Sequence, residues 1–566
     1  MKKIFRLASI AALGLATLTG CIKEIDPQTS TVTVDQAGAA PGSFDNFVAS
    51  ITNTMAGKFV YNASSMSPYD YGYPSFFLMR DVMGQDIAVE DTGNEWYTTW
   101  YTCGTGLGPL YAVCQYPWTY YYGWIKSCND VLNLAGAEPA PEQYYGVGLA
   151  YAMRAMFYMD MARMFAQKTY AMDQTAETVP LVLETTAVDA LASNPRATNA
   201  VMWAQILSDL DQAEVYLADY QRTSKYEADL SVVYGLKARA YLTMEDWANA
   251  ERYAKLAQSG YQMLTTDQYL SRTDGFNTPD NNNSWMFAVT FKSDDPCILN
   301  NDADSSWGAQ MIIEVSESGC GYAANYGTPK RIDYHLYQTI PATDIRKQCY
   351  IDFAIDDMAT QAEQIEALSD YSDVPEGILN TAVGTPSGKI GGLEVKFRPK
   401  GGEHTNQYAA FTVAVPLMRV EEMMLIEAEA AGMQNESQGI QLLTSFARQR
   451  DPNYEYGHHV NDTYGGSRAT GFQNEVWWQR RVELWGEGFA TFDIKRFDKG
   501  VIRSYAGTNH VEGYRWNYGG YNTNAGNVHP DWMDWCIVGT ETDYNYACTN
   551  NPTPIQPTSD SPEYAW

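Results

Sequence analysis

The side chains that could do chemistry in this chain are few, and their spacing excludes most reactions. Glu483 and Glu487 stand four residues apart, which puts both carboxylates on one face of a helix, as a paired-acid glycosidase site would need. Arg480, Arg481, Lys495 and Arg496 surround them in sequence, so structural ion pairs are the expected role. The stretch from Gly384 to Ile390 imitates a phosphate loop. It is one residue short, and Ile390 stands where a Ser or Thr hydroxyl should meet Mg²⁺. His458 and His459 could ligate a metal, but the pair stands apart in a chain of only six His. Asp294, Asp295, Asp302 and Asp304 offer oxygen ligands for Ca²⁺ without the EF-hand spacing. A structural Ca²⁺ is the only cofactor left open. H-E-x-x-H, G-x-S-x-G and a G-x-G-x-x-G after a strand are all missing, so the expectation is a protein that is not an enzyme.

What the chain has in excess is rings with a polar handle: 41 Tyr and 15 Trp against 19 Phe. Such side chains suit wet interfaces, and a sugar's flat C–H face stacks on them while polar groups fix its orientation. Tyr71 and Tyr73 precede Arg80, and Trp96, Tyr97 and Trp100 follow it, in a part of the chain without helical period. Trp307, Tyr322 and Tyr326 make a second candidate wall in the central loops. These are the expected ligand-binding residues, with core packing the alternative for any single ring. A peptide ligand would lean on backbone hydrogen bonds and fewer platforms, so the aromatic excess favours sugar.

Compartment follows from the first residues. Lys2, Lys3 and Arg6, an apolar run from Leu7 to Leu18, and small residues at its end describe a secretory signal over residues 1–20. Leu18-Thr-Gly-Cys21 resembles the lipobox of bacterial lipoproteins, in which the Cys thiol is diacylated. One acyl chain holds only marginally at ~0.8 kcal/mol per buried methylene, so two or three make a durable anchor. No later stretch approaches the ~18 apolar residues of a membrane helix. Residues 21–42 then read as a tether with an end-to-end distance of roughly 25 Å. Lys23-Glu-Ile-Asp26 resembles the charged export tag of surface-displayed lipoproteins. A formal charge of −30 makes nucleic acid and anionic lipid poor partners. Apart from Cys21, the Cys residues are irregularly spaced, without C-x-x-C, and buried free thiols are expected.

The elements that must position these groups are mostly helices. Residues 43–260 carry helical period over Tyr120–Ala135, Glu142–Phe165 and Thr198–Tyr220, with Thr198 as an N-cap. In Leu230–Gln258, Tyr234, Ala238, Tyr241, Ala250, Ala254 and Ala257 fall where a tetratricopeptide repeat alternates large and small residues. Residues 261–410 read as a loop-rich insert with short strands at Trp285–Phe291 and Ala410–Val415. Residues 411–500 return to helices, Pro416–Glu429, Ile440–Arg450 and Asn474–Phe489, and 501–566 form an irregular tail rich in Tyr and Trp.

Several segments together resemble one family. Arg481-Val-Glu-Leu-Trp-Gly-Glu-Gly-Phe489 with Phe492-Asp-Ile-Lys-Arg496 is similar to the C-terminal signature of SusD/RagB lipoproteins. The stretch Pro416–Ala430 looks like their preceding helix. Arg154, Ala155, Tyr158 and Asp160 with Val179-Pro-Leu181 resemble their N-terminal helix and strap, and Asn282–Phe291 their short strand. One departure is Phe489-Ala490, where the family usually carries a His/Arg-Arg pair; the resemblance then puts a salt bridge in doubt. It implies a mainly α fold of about four tetratricopeptide-like hairpins with long irregular loops and short β elements. It also implies an outer-membrane, lipid-anchored, surface-exposed protein that captures oligosaccharide. Such a protein sits as a lid on a SusC-like TonB-dependent transporter. An oligopeptide ligand in the same role and a periplasmic tetratricopeptide assembly lipoprotein are the alternatives.

Overall fold

Helices that approach closely need small side chains at their seam, and residues 230–257 supply them. Ala238, Ala250, Ala254 and Ala257 are fully buried between Leu230–Met244 and Trp247–Ala257. Tyr241 and Tyr253 stack across the pair at 5.6 Å. Glu245 reverses the chain in the left-handed region (φ 60°), and Asp246 accepts the backbone N–H of Asn249 at 3.2 Å to cap the second helix. This computed structural model describes residues 38–57 except 39 and 41, 69–90, 97–299, 305–315, 323, 329–383, 387–462, 466–518, 525–555, 557 and 560–566. The signal segment and Cys21 lie outside the described residues, as do Trp96, Asp302, Asp304, Tyr322, Tyr326 and residues 384–386 of the phosphate-loop mimic.

Residues 47–566 form one compact unit, with residues 1–46 a short separate one. In chain order the compact unit contains α1 (Ser75–Val82), β1 (Ile87–Val89), α2 (Ala112–Ala135), α3 (Tyr144–Phe165), β2 (Glu177–Pro180), β3 (Arg196–Thr198), α4 (Asn199–Tyr216), α5 (Leu230–Met244) and α6 (Trp247–Ala257). Then come β4 (Trp285–Thr290), β5 (Lys330–Ile332), α7 (Tyr334–Thr339), β6 (Ala414–Arg419), α8 (Val420–Gln434), α9 (Glu436–Ala447), α10 (Gly471–Glu483), α11 (Ala490–Phe497), β7 (Val501–Ile502) and β8 (Asn517–Tyr518). Helices α2 to α6 pack on one another in order, and α8 packs directly on α6. The segment between α6 and β6 therefore leaves the helical row and rejoins it. The fold is mainly α, built on tetratricopeptide-like helical hairpins with small two-stranded sheets, as the sequence implies. Among the described residues no helix is long and apolar enough to cross a membrane.

The rejoining is done by an antiparallel pair, β4 with β6, in which Trp285 faces Arg419 and Val289 faces Val415. Here the structure differs from the expectation of a helix from Pro416. Pro416 pairs with Ala288 in the ladder, and helix α8 starts only at Val420. Proline's missing N–H is tolerated on a two-stranded ladder. The expected helix Asn474–Phe489 also ends early, at Glu483, and Gly486 (φ 76°) and Gly488 (φ 82°) in the turn that follows take positive-φ conformations that favour glycine. A Cβ on Gly488 would lie 2.7 Å from Phe77 and from the Arg80 guanidinium.

Glu483 and Glu487 are structural, as expected, but with other partners than their sequence neighbours. Glu483, fully buried, meets Arg419, Arg450 and Arg346 at 3.1, 3.1 and 3.5 Å. Glu487 meets Arg419 at 2.8 Å and Lys396 at 2.7 Å. Arg480, Arg481, Lys495 and Arg496 bind Asp493, Asp86, Asp534 and Glu429 instead. Phe489, the residue that departs from the family pattern, lies against the guanidinium groups of Arg239 and Arg480. Seven described Cys are free and buried, and burial pushes the thiols of Cys103 and Cys349 up to about 12.

Candidate functional site

The largest cavity described has a volume of about 720 Å³ and opens where the insert meets the C-terminal tail. That is within the roughly 300–1,000 Å³ of small-ligand sites. Five lining residues are carboxylates, Glu90, Asp352, Asp356, Asp357 and Glu512, against three cations, Arg331, Lys389 and Arg515. Tyr334 and Phe353 supply the aromatic wall, both half-buried and edge to face at 4.9 Å.

Three local structures fix this wall. Strand β1 pairs with β5, with Ala88 opposite Arg331, which brings Glu90 and Arg331 together at 3.0 Å. Helix α7 starts directly after β5, and Asp333 caps it by accepting from Leu336 N at 2.9 Å, which sets Tyr334 at the mouth. The β7–β8 hairpin then carries residues 503–516 across. Asn509 ties that loop to α7, accepting from Tyr334 N at 2.8 Å and donating to the Ile332 carbonyl at 3.0 Å.

Most charged groups in the wall already have work. Asp356 accepts the N–H groups of Ile390 and Gly391, and Asp352 accepts that of Ala354. Glu90 takes both Arg331 and the Ser387 hydroxyl. His510 is buried, its Nε2 3.1 Å from the Gln85 carbonyl and 3.4 Å from Asp333, its Nδ1 2.6 Å from the Tyr101 hydroxyl. Burial lowers its pKa despite Asp333. Asp333 is held below its usual range because bonds with His510 and Tyr505 outweigh its burial. Asp357, Glu512 and Lys389 remain exposed. The arrangement offers hydrogen bonds around an aromatic wall, and the inward carboxylates are occupied rather than poised for proton transfer.

The sequence-derived candidates among the described residues do not line this cleft. Tyr71, Tyr73, Arg80, Tyr97, Trp100 and Trp307 are each 3% exposed or less. The Tyr73 hydroxyl donates to Asp160 at 2.6 Å, and Tyr121 and Arg80 reach the same carboxylate oxygen. Tyr71 and Tyr97 bond through their hydroxyls at 2.5 Å. Trp100 packs edge-on against Tyr69, and Trp307 against Phe397 at 4.8 Å. The structure makes these rings interior packing around buried polar groups. A non-periodic aromatic stretch looks the same in sequence whether its rings face water or a buried carboxylate. Asp294 and Asp295 lie on a separate cavity of about 360 Å³, where Asp295 accepts the Lys292 N–H at 2.7 Å. Among the described residues no group of three or more His, Cys, Asp or Glu is arranged to hold a metal ion.

The residues that sequence reasoning passed over, Tyr334 and Phe353, sit at the starts of a short α-helix and a 3₁₀ helix. The signal available was an Asp cap preceding each ring, Asp333-Tyr334 and Asp352-Phe353, which marks a turn start without saying what the ring faces.

Comparison with known proteins bears on the fold and the family. Residues 245–556 match the profile of the SusD family, and residues 78–242 match a profile described as starch-binding associating with outer membrane. A SusD-like carbohydrate binding protein from Bacteroides vulgatus superposes with a TM-score of 0.65 at 21% identity, over 90% of this chain and 97% of its own. A surface glycan-binding protein A from Bacteroides thetaiotaomicron, solved in complex with laminarihexaose, superposes with a TM-score of 0.62 at 15% identity, over 90% and 99%. A laminarin binding SusD-like protein gives a TM-score of 0.57 at 15% identity, over 90% and 98%. At these identities the likeness establishes the fold. No protein of curated function matches the chain.

Proposed function

The chain belongs to the SusD family, and on that premise we propose that it is a surface-displayed lipoprotein that captures oligosaccharide in the cleft beside Tyr334 and Phe353. It passes the ligand to a SusC-like TonB-dependent transporter, over which it acts as a lid. The observation that carries this reading is the cleft itself: about 720 Å³, edged by hydrogen-bonding groups, with a half-buried aromatic pair in its wall. Two proteins of the same fold bind laminarin or laminarihexaose by their own descriptions, which supports a glycan over a peptide. Five carboxylates against three cations in the lining, on a chain of charge −30, favour an uncharged sugar over a sulfated or uronic one. The protein is read as binding without turnover: Glu90, Asp352 and Asp356 are engaged in the wall, and the sequence carries no catalytic motif around the exposed Asp357 and Glu512. Acylation at Cys21 anchors it.

Isothermal titration of the purified mature chain tests the ligand. Uncharged linear oligosaccharides should bind, with affinity lowered in Tyr334→Ala. Binding of peptide mixtures alone would overturn the glycan reading, and release of shortened sugars would overturn the non-enzymatic one. Surface proteolysis of intact cells tests the location: Cys21→Ala should remove the protein from the exposed pool. Co-purification with a large outer-membrane β-barrel tests the lid, and its absence from solubilised membranes would remove that part.

A further inference from the structure

An indole half exposed to water is an unusual thing to hold rigidly, and Trp566 is so held. It is 48% exposed. One face lies flat on the His335 imidazole, with centroids 3.4 Å apart and planes within 6°. Tyr564 and Tyr505 meet it edge-on at 5.1 and 5.7 Å. The backbone beneath is pinned. Tyr564 N donates to the Ser504 carbonyl at 2.9 Å, and the Ser504 hydroxyl donates to the Ser561 carbonyl at 2.6 Å. Asn517 donates from its side-chain amide to the Pro562 carbonyl at 3.0 Å.

Two stretches of chain link this platform to the cleft wall. His335 follows Tyr334 in the first turn of α7, and its backbone N–H donates to the Tyr505 hydroxyl at 3.0 Å. Two residues beyond Tyr505, the loop from Gly507 forms the opposite lip of the cleft. We infer that Trp566, backed by His335, is a second stacking subsite for the same ligand, so that the bound molecule is a linear glycan of several sugars running out of the cleft and over the indole. The inference rests on the reading of the cleft as a sugar site. Its chemistry is that of the first wall, a flat π face for the apolar side of a pyranose. Its pre-ordered backbone removes the ordering cost that a mobile ring would impose on binding.

Titration of the mature chain with uncharged linear α- and β-glucan oligosaccharides, from two to eight sugars, decides it. In the wild type, affinity should rise with length beyond the number of sugars the cleft accommodates. Trp566→Ala should lower affinity for the longest chains by about tenfold and leave the shortest unchanged. Trp566→Phe should restore most of the loss, and Tyr334→Ala should weaken every length. Equal loss at all lengths, or unchanged affinity of Trp566→Ala for long chains, overturns the subsite while leaving the cleft intact. Failure of the wild type to bind any of these sugars overturns the glycan reading of the cleft, and the subsite with it. Matched melting temperatures of the variants separate binding from folding.

Discussion

Arg419 and Glu487 form a two-pronged pair, Nε to Oε2 at 2.8 Å and a terminal nitrogen to Oε1 at 2.9 Å, both side chains buried. Arg419 is the last residue of β6, and Glu487 lies in the glycine-broken turn after α10. The pair therefore ties the strand that rejoins the helical row to the C-terminal helices. Removing one partner of a buried pair leaves the other charge stranded, which costs about 3–5 kcal/mol. Arg419 also faces Glu483 and Glu421, so Arg419→Met should fall at the upper end of that range in urea unfolding. Loss below about 1 kcal/mol would show the charges rehydrated rather than stranded.

The same hub sets an acid limit. Burial alone would raise the Glu483 pKa, but Arg450, Arg419 and Arg346 outweigh it and hold the carboxyl well below the usual range near 4.5. A depressed folded value contributes stability above about pH 4.5 that is lost as pH falls through the folded value. Glu394 works in the opposite direction. It is fully buried, with one carboxylate oxygen accepting from Lys396 N and Phe397 N and the other without a partner. Burial pushes it up to about 8. A raised folded value stabilises at low pH and is lost as pH rises from about 4.5 through about 8. Glu394→Gln should therefore flatten the decline in melting temperature between about pH 5 and 8. A decline as steep as the wild type's would place the titration elsewhere.

How much of this was legible beforehand depended on whether the signal was local. The hairpin 230–257 was, because alanine spacing and the Asp246 turn are written within thirty residues of one another. Thr198 as a cap was too, accepting the Val201 N–H as its position implied. The family membership rested on ordered motifs. The cleft was not legible, because its walls come from Glu90, Arg331, Phe353 and Asn509, brought together by a β1–β5 pair and a hairpin too short to leave a pattern. The described rings between Tyr69 and Tyr101 were legible as rings but not as core. Tyr73 donates to Asp160, a carboxylate on a helix about ninety residues on, and nothing near that ring announces it.

Gly488 is a place where one methyl group should matter. Its φ of 82° strains any other residue, and the added Cβ would meet backbone and ring atoms of Phe77. Its N–H also donates to Asp81 at 2.9 Å, so a shift to relieve the clash would strip a buried carboxylate of a partner. Gly488→Ala should lower stability by more than the ~1 kcal/mol of an incompatible glycine replacement alone. Thermal unfolding checks this, and a melting temperature within a degree of wild type would show that the turn can relax.

Two ring deletions separate core from site. Trp100 is 1% exposed, wedged between Tyr69 and Tyr97 with centroids 5.4 and 5.7 Å away. Trp100→Ala should destabilise by about 3–5 kcal/mol, as large-to-small changes in a packed core do. Tyr334 is half-buried at the cleft mouth, and its backbone N–H bond to Asn509 does not depend on its ring. Tyr334→Ala should leave the melting temperature within a few degrees and lower oligosaccharide affinity by about tenfold. Measured together, melting and titration give opposite patterns for the two variants. A Trp100→Ala protein that folds normally but no longer binds would return the site to the N-terminal rings, and the cleft would lose its role.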